Sequence, residues 1–181
     1  GLGDVYKRQD FDPLENEKSI LIEWIRESQN LREYDFIILP GSKQTIRDQI
    51  YLDNSGLSQD IREYANSNGN IVGICGGLQM LGTILEDPYS KEGSKNYSEQ
   101  KTKGIGLLPL KTTFLEKKIT RQINSQSLWP CQTKINGFEI HNGQTKLDIT
   151  QNTFDIKPIF KDLDLGWYKE NNGGGTIAGT Y

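Results

Sequence analysis

Histidine and cysteine are scarce in this 181-residue chain: one His, at position 141, and two Cys, at 75 and 131. A single His leaves no Cys/His cluster of the size zinc takes, so no metal site is expected. Two Cys are too few for a disulfide framework. A free Cys between glycines suits a reducing compartment, so a cytoplasmic location is expected. No apolar run approaches the ~18 residues that span a bilayer, and no secretory hydrophobic segment opens the chain, so no membrane partner is expected. The formal net charge of -3 argues against a nucleic-acid partner and against an anionic membrane surface. The length is one domain's worth, large enough for a real core.

What is present concentrates in Ile71-Val72-Gly73-Ile74-Cys75-Gly76-Gly77-Leu78-Gln79-Met80-Leu81-Gly82. A short apolar run meets a Cys flanked by glycines, and a helical pattern follows. This is a nucleophile elbow of the form G-x-C-x-G, centred on Cys75. Such a strand-to-helix turn needs glycine neighbours because a Cβ there would clash. It leaves the sulfur exposed over the first turn of a helix. There the helix dipole favours the thiolate, the reactive form, typically by ~0.3–1 kcal/mol.

Along the chain, Tyr34 to Leu39 reads as a buried strand ended by Pro40-Gly41-Ser42. Helices are expected over Thr45 to Tyr51 and over Ser58 to Ser67, where Ile61 and Ala65 share a face. Ile71–Ile74 is the next strand, and Leu78 to Leu85 the post-elbow helix. Ser19 to Glu27 is apolar but of uncertain type. Asp87 to Lys103 is polar and reads as an exposed loop. Lys111 to Ile123, Thr133 to Ile140 and Gln144 to Leu147 read as strands of a more antiparallel half, and Thr176 to Thr180 as a further strand after the turn at Gly173-Gly174-Gly175. Strands alternating with helices in the first half imply a parallel α/β sheet, whose site lies at the carboxyl ends of its strands. The loops Pro40–Lys43 and Cys75–Gly77 can therefore meet in one cleft. Residues 1–9 resemble translated adapter sequence and are expected to be non-native, so the domain proper is read as residues 10–181.

A thiolate attacking an amide makes an oxyanion, which two backbone N–H groups usually stabilise. Gly76 can supply one and the Gly41-Ser42 loop the other. Gln79, one helical turn beyond Cys75, can present an amide to a small polar substrate. A general base is also required. His141, in Gly137-Phe138-Glu139-Ile140-His141-Asn142-Gly143, is either a base or substrate contact or a structural histidine at a strand end. Cys131 lacks a glycine frame and reads as incidental. Lys43 reads as a solvated lysine and Asp10-Phe11-Asp12-Pro13 as a turn.

Several motifs, in order, carry a family resemblance: Asp10–Leu14; Leu39-Pro40-Gly41-Ser42-Lys43 with Thr45; Gly73–Gly77 with Gln79–Gly82; Glu92-Gly93; Gly104–Pro109 with Thr112-Thr113-Phe114; Gly137–His141; and Gly179-Thr180-Tyr181. Over residues 10 to 181 the chain resembles the glutamine amidotransferase domain of the cobyric acid synthase family. The elbow is shared by many amidotransferases; the Gly106–Phe114 run and Phe138-Glu139-Ile140-His141 are more selective.

The resemblance implies an α/β fold of the class I glutamine amidotransferase (flavodoxin-like) type. That fold is a mostly parallel sheet flanked by helices, with an antiparallel C-terminal extension, and its first strand is expected to be missing here. It implies Cys75 as nucleophile, forming a γ-glutamyl thioester from L-glutamine. Ammonia would pass to an N-terminal ATP-binding synthetase domain that amidates adenosylcobyrinic acid a,c-diamide in cobalamin synthesis. ATP and Mg would belong to that domain, leaving this one without a cofactor. The family's catalytic His lies in Gly-Thr-Tyr-Leu-His-Gly, two positions past Tyr181, and His141 matches a different histidine near the site. The 181-residue chain is accordingly expected to have little glutaminase activity. The rival readings are a cell-wall amidotransferase with a Mur-ligase-like partner, a thiol hydrolase of the same fold, and a non-catalytic module.

Overall fold

Phe36-Ile37-Ile38-Leu39 and Ile71-Val72-Gly73-Ile74 are apolar runs too short for helices and suited to buried strands. A computed structural model, describing residues 10–92, 100–162 and 164–181, places them at the heart of the main sheet. Strands β1 (Phe36–Leu39) and β2 (Asn70–Ile74) pair in parallel, with Leu39 opposite Gly73. On the other side of β2 lies β11 (Thr176–Thr180), also parallel, with Gly179 opposite Gly73. Antiparallel β10 (Gly166–Glu170) and β9 (Lys157–Pro158) complete the order β1-β2-β11-β10-β9. Three parallel strands thus end side by side at Leu39, Ile74 and Thr180.

The crossover from β1 to β2 is two helices, α2 (Thr45–Ser55) and α3 (Leu57–Asn66), separated by Gly56 at φ 85°. One buried face of α3 carries Leu57, Ile61, Tyr64 and Ala65, at the spacing expected of an amphipathic helix. Upstream, α1 (Asp12–Glu15) is a single turn with Pro13 in its first positions. Helix α4 (Gly76–Leu81) follows β2. A second sheet has the order β4-β3-β5-β8: β4 (Lys101–Lys103), β3 (Ile84–Glu86), β5 (Leu110–Thr113) and β8 (Gln144–Leu147). A two-stranded ribbon pairs β6 (Ile119–Gln126) with β7 (Lys134–His141). Leu78 and Leu81 of α4 are fully buried with Leu85, Leu108, Leu110 and Phe114. Burying each such side chain contributes about 1.5–3 kcal/mol, so α4 is fixed by the core on which it sits.

Three expectations are corrected and one open reading is resolved. The post-elbow helix stops at Leu81 because Gly82 is extended and Thr83 is captured by β5, donating N–H and hydroxyl to the Leu110 carbonyl at 2.7 and 2.9 Å. Ile84 and Leu85 therefore lie in a strand. The stretch from Asp87 is not simply exposed loop: Asp87 and Glu92 are buried and 101–103 is strand, while residues 93–99 lie outside the described residues. The strand expected over 111–123 divides into β5 and β6 at Phe114, which is buried and donates its N–H to the Glu86 carbonyl at 2.7 Å. Residues 19–27 are neither helix nor strand.

Candidate active site

Cys75 stands between β2 and α4 at φ 52°, ψ -106°. A non-glycine residue with positive φ is uncommon and costs of order 1–3 kcal/mol, held only by its surroundings. Here the Cys75 N–H donates to the Thr180 carbonyl at 2.7 Å, and the Cys75 carbonyl accepts the Gln79 N–H at 3.1 Å. The end of β11 and the first turn of α4 thus grip the strained residue from both sides. Cys75 is half-buried, in a cavity of about 370 Å³ that Gly41, Ser42, Gln79 and His141 also line. Cys131 is exposed and is not among the lining residues.

The two loops meet as their strand ends require. A Cβ on Gly76 would stand 2.6 Å from the Ser42 nitrogen, so Gly76 presses on the second loop without lining the cavity itself. Ser42 Oγ donates to Asp48 and accepts the Gln44 N–H at 2.9 Å, fixing the loop to the start of α2. The Thr45 N–H, in the first turn of α2, donates to Glu92 Oε2 at 2.5 Å. Glu92 is 4% exposed, and Asp87 shapes its loop by accepting the N–H groups of Lys91 and Glu92 at 2.7 and 2.8 Å. Burial pushes the Glu92 carboxyl up to about 7, helped by the Asp87 charge and opposed by the Thr45 hydrogen bond.

Gln79 is a buried junction. Its Nε2 donates to the Asn142 carbonyl at 2.8 Å and to the Tyr181 hydroxyl at 3.3 Å, and its Oε1 accepts from Thr45 Oγ1 at 3.2 Å. The amide that the spacing aims at the cavity is thus engaged by three protein groups.

His141 is held from both ring nitrogens. Nδ1 lies 2.9 Å from the Gly143 carbonyl and Nε2 2.8 Å from Glu139 Oε1. Arg121 Nε donates to the other oxygen of Glu139. The His141 ring stacks on Tyr181, centroids 3.4 Å apart and planes 9° from parallel. Tyr181 and Thr145 join their hydroxyls at 2.5 Å, and burial pushes the Tyr181 phenol up to about 12.

The sequence reading missed Glu92, Glu139 and Tyr181 as site residues. Glu139 carried a signal, since along β7 Phe138 and Ile140 are 72% and 49% exposed while Glu139 and His141 are each 4%. That alternation turns Glu139 and His141 to one buried face. Nothing in the polar run around Glu92 marks it as buried. Among the described residues no group of three or more His, Cys, Asp or Glu could hold a metal ion, and no helix is long and apolar enough to cross a membrane.

Comparison with known proteins places this chain in a family. The family model for the CobB/CobQ-like glutamine amidotransferase domain matches residues 4–181. A cobyric acid synthase of Prochlorococcus marinus (strain MIT 9312) is 78% identical over 172 residues, covering 95% of this chain and 34% of that protein. One from strain NATL2A is 45% identical over the same span. The chain thus spans about a third of the length of these relatives. Among solved structures, a glutamine amidotransferase superposes with a TM-score of 0.65 at 12% identity, covering 98% of this chain and 84% of that one. The PurLQS structure from Thermotoga maritima gives 0.56 at 18% identity, covering 85% and 70%. At these identities the structures speak for the fold alone, and it is the class I glutamine amidotransferase fold, with parallel strands and flanking helices. The chain belongs to the CobB/CobQ-like glutamine amidotransferase domain family.

Proposed function

We propose that the chain is the glutamine-hydrolysing domain of a cobyric acid synthase, with Cys75 as its nucleophile. One observation carries this reading: a strained Cys at the end of a central parallel strand, with Gly76 packed on the Gly41-Ser42 loop beside the same cavity. The Cys75 thiolate attacks the carboxamide carbon of L-glutamine. The resulting oxyanion is taken by the Gly76 N–H and an N–H of the Gly41-Ser42 loop, each such donor typically stabilising the transition state by ~3–4 kcal/mol. The C–N bond breaks, the nitrogen leaves with an added proton as ammonia, and the γ-glutamyl thioester is hydrolysed by water to glutamate. A thiol that must stay reduced fits a cytoplasmic setting.

Proton transfer needs a base with a free lone pair, most often a His nitrogen. Both His141 nitrogens are engaged, and His141 is the only His of the chain. We assign the base to the His that the family motif carries two positions beyond Tyr181, so the 181-residue chain by itself turns over glutamine poorly. No cofactor is assigned to this domain. An N-terminal synthetase domain, using ATP and Mg, receives the ammonia and amidates adenosylcobyrinic acid a,c-diamide; the identity to cobyric acid synthases supports that assignment.

The test is covalent labelling of the full-length polypeptide with a diazoketone analogue of glutamine. A single adduct mapped by mass spectrometry to Cys75, blocked by excess glutamine, is the expected result. Hydrolysis of glutamine that persists in Cys75→Ala would defeat the proposal.

A further inference from the structure

Among the described residues His141 is the one titratable ring lining the cavity, yet its surroundings leave it nothing to do as a base. Both groups that its nitrogens meet, the Gly143 carbonyl and the Glu139 carboxylate, are acceptors. Both ring nitrogens are thus engaged by protein groups, which leaves neither open to a substrate proton. Arg121 from β6 holds the second oxygen of Glu139, so the carboxylate cannot swing away freely. The face of the His141 ring lies on Tyr181, immediately after β11. A flat stack with ring centroids 3.4 Å apart brings the two faces into full van der Waals contact.

We infer that His141 is a positioning residue for the reaction at Cys75: clamped by Glu139 and Gly143, it stacks on Tyr181 and fixes the end of β11 against the elbow. The inference rests on the glutamine-hydrolysing reading above. Three contacts complete the path. The Tyr181 hydroxyl meets Thr145 Oγ1 and accepts from Gln79, and the preceding carbonyl, that of Thr180, accepts the Cys75 N–H. Any residue continuing from Tyr181 starts from a ring held on one face by His141 and at its tip by Thr145 and Gln79. The β6–β7 ribbon, which forms its own sheet, is thereby tied to the end of the main sheet where Cys75 sits.

The experiment compares His141→Gln, Tyr181→Leu and Tyr181→Phe in the full-length polypeptide, reading glutamine hydrolysis from about pH 6 to 9. His141→Gln and Tyr181→Leu are expected to lower kcat by about 10- to 100-fold, as misplacement of reacting groups does, with KM changed less than about threefold. The shape of the pH profile should stay as in the parent, and Tyr181→Phe, which keeps the ring, should restore most of the rate lost in Tyr181→Leu. A titration limb that vanishes in His141→Gln would make His141 the base and overturn the inference. So would unchanged kcat in both His141→Gln and Tyr181→Leu. If melting curves show that His141→Gln fails to fold, the Tyr181 pair decides alone. A parent polypeptide that neither hydrolyses glutamine nor labels at Cys75 overturns the underlying reading, a result distinct from these.

Discussion

Gly73 and Gly77, the two glycines that frame Cys75, touch: a Cβ on Gly73 would stand 2.5 Å from the Gly77 carbonyl carbon and 2.6 Å from its oxygen. A Cβ on Gly77 would in turn lie 2.0 Å from the Leu39 carbonyl oxygen. The obstructing atoms are backbone, so no side chain can rotate away. The elbow folds back on itself so tightly that strand, helix and the neighbouring strand β1 meet without room for a methyl group.

Gly73→Ala and Gly77→Ala are therefore expected to destabilise the domain by about 3 kcal/mol or more, at the upper end of overpacking costs. Gly137→Ala, where a Cβ would meet nothing within 4 Å, should stay within about 0.5 kcal/mol of the parent. Urea unfolding of the three variants checks the contrast. Equal losses at Gly73 and Gly137 would refute the steric account.

Glu92 links stability to pH. Its carboxyl titrates near 7 when folded and near the ordinary 4.5 when unfolded, chiefly because burial disfavours the charge. A raised folded value means that the contribution to stability is fully present below about 4.5 and is lost as the pH climbs through about 7. Glu92→Gln keeps an oxygen for the Thr45 N–H and cannot ionise. Its melting temperature should rise relative to the parent between pH 5 and pH 8, as thermal denaturation across that range would register. A constant difference would mean that Glu92 does not titrate in this window.

Gln79→Leu removes three hydrogen bonds at once and leaves the part-buried Asn142 carbonyl without its donor. A loss of about 2–4 kcal/mol is expected, since each buried group left unpaired costs about 1–3 kcal/mol. Chemical denaturation gives the number, and a loss below 1 kcal/mol, about that of one ordinary hydrogen bond, would show that the junction is not structural.

Extending the 181-residue chain by Leu-His-Gly should raise ammonia release from glutamine by about 10²–10⁴-fold, the usual weight of a general base. A coupled ammonia assay on the two polypeptides, with Cys75→Ala in the extended one as the blank, measures it. Equal rates would return the proton-transfer role to His141 or to water.

Some of this was written locally in the chain. The run Ile71–Ile74, the glycines around Cys75 and the turn at Pro40–Ser42 announce a strand, an elbow and a second strand end by short-range sterics and apolar patterning alone. They fix the fold class and single out Cys75 as the proposed nucleophile. The end of the post-elbow helix was not local: Thr83 is taken by β5, some 27 residues on, and pairing energy overrode a helical pattern. Glu92 sits in a polar stretch that no periodicity marks as buried, yet it caps α2 across 47 residues of sequence. The fate of His141 was equally out of reach. Strand alternation turns it inward, but only the arrival of β11 beside β2 brings Tyr181 onto its ring. Short-range geometry thus decided where the elbow and its Cys75 stand, and long-range pairing decided which groups hold them in place, because hydrogen bonds and stacking between distant segments exist only once the sheets have formed.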